Sequence, residues 1–128
     1  MKIFSSAIFV FLTSIIFINS SQANDQSVSC YQTAWEHPEK GGLGLTRGMA
    51  LDLCKGAPVA KEVLQCYRKA WEHPEKDGLG LSRGMAVDLC KGVSQSKKVI
   101  SCYQTAWEHP EKGGLGLTRG MALDFCKK

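Results

Sequence analysis

From Val59 onward, apolar side chains fall at Val59, Val63, Cys66 and Ala70, the three-and-four spacing of one helical face, and Leu64, Tyr67 and Trp71 widen the stripe. The positions between them are mostly charged or amide side chains. This pattern predicts a helix over Pro58–Glu72. Pro58 suits the first turn, where its missing N–H is harmless, and Pro74 ends the helix by pushing His73 out of the α region. A second helix opens just beyond, at the natural N-cap Ser82, with equivalents Thr46 and Thr118. Met49, Ala50, Leu53 and Cys54 give that helix its apolar face, Lys55 suits the negative end of its dipole, and Gly56 and Gly92 read as the residues just past its end. Between the helices runs "PEKGGLGL", in which Gly41 and the equivalent Asp77 tolerate left-handed geometry and Leu43 and Leu45 are expected to point inward.

The same pair of helices is written three times. Cys30, Cys66 and Cys102 stand 36 residues apart, and Cys54, Cys90 and Cys126 keep the same step. Units Cys30–Cys54 and Cys102–Cys126 differ only at Leu53 against Phe125. A period of this size marks arrays and solenoids. The expected fold is all-α: three tandem 36-residue helix hairpins, about 24–56, 57–92 and 93–128, stacked as a short solenoid. The period and the helix pair resemble Sel1-like and tetratricopeptide arrays in architecture. The tetratricopeptide pattern of Trp, Leu-Gly, Tyr, Ala, Phe and Pro is not met in register, and no functional residue is carried over from either family.

Ahead of the repeats, Met1-Lys2 is a minimal basic start and Ala7–Ile18 a short apolar run. Ser21-Gln22-Ala23 supplies the small residues that a signal peptidase reads, so residues 1–23 are expected to be a signal peptide, cleaved before Asn24. The apolar run is shorter than the roughly 20 residues of a spanning helix, and no later segment is apolar enough to span. The remaining 105 residues form one small domain, whose first helix, deprived of its first turns, should be short and frayed. Export places the chain in the periplasm or outside the cell. There an even count of six cysteines fits a disulfide framework. Two helices joined by a short loop run antiparallel, which brings Cys30 beside Cys54, Cys66 beside Cys90 and Cys102 beside Cys126. Structural zinc would need clustered ligands such as C-x2-C pairs, and the chain has none.

Losing Lys2 with the leader leaves a net charge of +3, interspersed apart from Lys97-Lys98 and Lys127-Lys128, an ordinary solvated surface rather than a nucleic-acid footprint. There is no nucleophile elbow, no H-E-x-x-H and no phosphate-cradling loop, and no cofactor is implied. The distinctive stretch is "WEHPEK". Its copies, Trp35-Glu36-His37, Trp71-Glu72-His73 and Trp107-Glu108-His109, face Arg47, Arg83 and Arg119 at the same end of each hairpin. Side-by-side hairpins would space the copies roughly 10 Å apart. Each tryptophan is expected to pack at the hairpin tip, the alternative being an exposed aromatic ladder. Each histidine reads as an exposed residue before proline. Each arginine opposes the dipole of the helix it starts, so a pair with Glu36 or Glu39 is expected to offset that. The leading functional reading is a binding or scaffold module for a protein or glycan. The alternatives are a small secreted enzyme or toxin with a site between repeats, and a weak metal binder using Glu36, His37 and Glu39.

Overall fold

The structure is a computed structural model that describes residues 21–128, with side chains from Asp25 onward. The expected signal peptide lies outside the described residues except for Ser21–Ala23, which open the first helix. Among the described residues there are six α-helices and no strand: α1 Ser21–Trp35, α2 Arg47–Cys54, α3 Ala60–Trp71, α4 Arg83–Cys90, α5 Ser96–Trp107 and α6 Arg119–Cys126. Three short 3-10 turns, Pro38–Lys40, Pro74–Lys76 and Pro110–Lys112, follow α1, α3 and α5. Helices pack in pairs, α1 on α2, α3 on α4 and α5 on α6, and α3 also touches α1 and α5 while α4 touches α2 and α6.

Each hairpin is closed by one disulfide: Cys30–Cys54, Cys66–Cys90 and Cys102–Cys126, each bridging 24 positions of sequence. No cysteine is left free among the described residues. The first two bridges lie in a core shared with Leu45, Ala50, Leu53, Val63, Tyr67, Leu81, Leu89 and Val93, while the third is partly buried at its margin. Tyr67 and Tyr103 are the largest buried side chains. Burial pushes both phenols above their ordinary value, with the charges of Arg83 and Arg119 respectively pulling them part of the way back.

The loop after each odd-numbered helix is a helix cap extended over several residues. Leu43 donates its N–H to the Thr33 carbonyl, Leu45 to Ala34 and Gly44 to Glu36, at 2.9–3.0 Å, so the last carbonyls of α1 are satisfied by the returning chain. This close return explains Gly42, where a Cβ would collide with the Glu36 carbonyl. Gly41, Asp77 and Gly113 adopt left-handed φ values of 83°, 63° and 86°, as the turn requires. The short helices start as expected: Thr46, Ser82 and Thr118 accept the N–H of Met49, Met85 and Met121 at 3.2–3.3 Å.

The start of α3 differs from the sequence expectation. Pro58 stands outside the helix, Val59 is extended at φ −141°, and the helix begins at Ala60. Val59 has no side chain to cap with, and the cap comes from the preceding hairpin: the Ala60 N–H donates to Gln26 Oε1 at 2.7 Å. One hairpin later the Ser96 N–H donates to Glu62 Oε2 at 2.6 Å. These bonds join hairpins and terminate helices at once. Glu62→Ala is expected to lower stability by about 1 kcal/mol, the usual weight of an N-cap, which urea unfolding at constant slope would register.

The length of α1 is the second difference. It has 15 residues, against 12 in α3 and α5, because the helix continues back past Asn24 to Ser21. Counted from Asn24 it would also have 12, so a cut after Ala23 would leave a first helix of ordinary length and not a shortened one.

Candidate functional site: the tryptophan–arginine edge

The repeated edge is assembled from two helix ends. Trp35, Trp71 and Trp107 are the last residues of α1, α3 and α5, and Arg47, Arg83 and Arg119 are the first of α2, α4 and α6. The loop cap brings these ends together. Each guanidinium lies over its indole, 5.4, 5.6 and 5.8 Å from the ring centre, within the range of a cation–π contact. The tryptophans are not packed away at the tip as expected: they are 48%, 47% and 50% exposed. The apolar loop residues Pro38 and Leu43 are engaged elsewhere. The Pro38 ring lies beneath Gly44, and Leu43 packs against the core.

The arginine expectation is corrected as well. Among the described residues Arg47 forms no ion pair with Glu36 or Glu39; the acid of the turn, Glu39, lies beside His37 instead, at 3.9 Å. What offsets the unfavourable dipole is the indole face and a carbonyl of the preceding hairpin. Arg83 Nη1 donates to the Gly44 carbonyl at 3.3 Å and Arg119 Nη1 to Gly80 at 3.2 Å. Arg68 Nη2 adds a bond to the Gly41 carbonyl at 3.0 Å.

The histidines have a role that the sequence reading missed. His37, His73 and His109 are exposed, and the Nδ1 of each accepts the N–H of Glu39, Glu75 or Glu111 at 3.2–3.3 Å, capping the 3-10 turn. Accepting there places the ring proton of the neutral imidazole on Nε2. The available signal was His immediately before Pro-Glu at a helix exit, the position where a short side chain with an acceptor caps a new turn. Glu36 and Glu72 are partly buried and Glu108 exposed, and their carbonyls, not their carboxylates, hold the loop.

Between the second and third hairpins the edge encloses a groove of about 440 Å³, lined by Pro74, Gly78, Leu79, Gln104, Trp107, Glu108 and Arg119. Away from the edge, Asp88 bridges the same two hairpins by accepting from Lys91 at 2.9 Å and Lys127 at 3.4 Å. The Lys91 hydrogen bond is the main reason its carboxyl is held below the ordinary range. No group of three or more His, Cys, Asp or Glu side chains comes together among the described residues, so the Glu36–His37–Glu39 stretch does not fold into a ligand set. No helix among them is long and apolar enough to cross a membrane.

Comparison with protein-family models, curated proteins and solved structures finds no match to this chain.

Proposed function

We propose that the chain is an exported, disulfide-stapled array of three tandem hairpins, stacked as a short solenoid, and that it binds a partner along the tryptophan–arginine edge. One observation carries the reading: a half-exposed tryptophan under an arginine, presented three times at equivalent places. Tryptophan and arginine are the residue types that dominate binding hot spots. The cap, the loop and the guanidinium fix each indole before any partner arrives, so less side-chain freedom is lost on binding. A protein partner is the first reading, because the guanidinium takes an indole face that a sugar ring would need; a glycan is the second. Three linked weak contacts add avidity. Three disulfides support an oxidising compartment, and the leader-like residues 1–23 support delivery to it by a signal peptide, into the periplasm or the medium.

The test is capture from envelope extracts and host-cell surfaces, alongside a glycan array, with Trp→Ala at one, two and all three of Trp35, Trp71 and Trp107. Binding should fall stepwise while the melting temperature changes little for each exposed site. Undiminished capture by the triple variant would remove the edge from the binding function.

A further inference from the structure

The two ends of the chain leave open apolar positions that its internal junctions bury. Leu64 and Ile100, 8% and 7% exposed, are buried in the second and third hairpins, but their counterpart in the first, Val28, is 55% exposed. Val87 and Leu123 are likewise buried while Leu51 is open. These positions face the preceding hairpin, and the first hairpin has none among the described residues. The opposite end shows the converse. Leu53 and Leu89 are fully buried, whereas Phe125 is 66% exposed. Met121 and Leu115 are also exposed, although Met49, Met85, Leu43 and Leu79 pack against the core.

We propose that copies of this chain associate head to tail, the α1–α2 face of one seating on the α5–α6 face of the next. The contact continues a junction that the molecule already makes twice, between its first and second and its second and third hairpins. The polar register carries over too. Within the chain, an arginine reaches a glycine carbonyl 39 positions earlier, in Arg83 to Gly44 and Arg119 to Gly80, and Lys127 reaches Asp88 across the same interval. Continued across two copies, that register sets Arg47 of one opposite the Gly116 carbonyl of the other, and Lys55 opposite Asp124. All four residues are in place.

One element is altered. Gln26 and Glu62 cap the next hairpin, but the third residue of that series is Lys98, which has no acceptor and carries the wrong charge for a helix N-terminus. The junction between copies therefore lacks the cap that the internal junctions have, so association is reversible and governed by concentration. Because the two faces differ, the contact is heterologous, and it extends beyond two copies unless an end is blocked.

Sedimentation velocity over a concentration series tests this with oxidised protein produced from the full chain. The mean mass should rise with concentration past that of a dimer. Leu51→Glu and Phe125→Glu each place a charge on one face at a site already exposed, so each fold should survive, checked by circular dichroism and melting. Each variant alone should lose at least about tenfold in association constant, because a charge is buried unpaired. Mixed together, the two should form a one-to-one dimer and stop there, since Leu51→Glu retains an intact α5–α6 face and Phe125→Glu an intact α1–α2 face. A wild-type chain that stays monomeric to about 1 mM overturns the proposal. So does either variant associating with itself as well as the wild type does, since that would mean like faces pair.

Discussion

Replacing Cys66 and Cys90 together by alanine is expected to lower the unfolding free energy by about 3.5 kcal/mol, the chain-entropy value for a closed loop of about 25 residues. The bridge joins the middle of α3 to the last residue of α4, with its Cα atoms 5.5 Å apart and both residues fully buried, so the folded hairpin keeps its shape when the bond is absent. The loss falls on the unfolded side, where the freed chain gains conformations. A domain of this size is typically stable by about 5–15 kcal/mol, so the change removes a large share. The middle bridge is the informative one, because its hairpin is flanked on both sides. Urea unfolding at neutral pH would show a lower midpoint and a steeper slope, since the uncrosslinked chain exposes more surface on unfolding. An unchanged midpoint would mean that interhelix packing alone holds the hairpin.

The second large effect separates one sequence position by its three settings. Leu53, Leu89 and Phe125 are equivalent, but the first two are fully buried and the third is 66% exposed. Leu89→Ala is expected to cost about 2–5 kcal/mol through lost burial and the cavity left behind, and Leu53→Ala a similar amount. Phe125→Ala, studied dilute, is expected to stay within about 0.5 kcal/mol. The contrast tests the packing of hairpin on hairpin rather than the hairpins themselves. Equal costs at all three positions would mean that each hairpin buries this residue by itself.

What the sequence revealed was whatever is encoded within a few residues. Thr46, Ser82 and Thr118 announce helix starts because a hydroxyl reaches an N–H three positions on. The glycines after Lys55 and Lys91 announce helix ends, since Gly56 and Gly92 take left-handed φ values of 65° and 71°. The disulfide pairing followed from the antiparallel hairpin and a common spacing. Most of the misses were contacts made at long range or against expectation from composition; the histidine cap, two residues in span, is the local exception. The helix began two residues after Pro58 because its cap arrives from Gln26, 34 positions upstream, which no local pattern contains. Arg47 was expected to seek a carboxylate, yet it lies on an indole, because the loop cap places the ends of α1 and α2 side by side. The general habit of tryptophan is burial, and composition alone says nothing else of these three. They end their helices at a rim, half exposed, each under an arginine. The capping role of His37 depends on the 3-10 turn that opens at Pro38.

Apart from Arg68–Gly41, at 27 positions, the side-chain bonds that join hairpins span two intervals: 34 positions for the caps, and 39 for Arg83–Gly44, Arg119–Gly80 and Lys127–Asp88. A single residue inserted between Lys55 and Pro58 would lengthen the intervals of Gln26–Ala60 and Gly44–Arg83 together and put both bonds out of step. A whole block of 36 residues would leave every interval intact, bringing its own donor set for the hairpin before and its own acceptor set for the hairpin after. Length in this protein is therefore expected to change in whole hairpins, because a shift of one or two residues at a joint puts the bonds across it out of step.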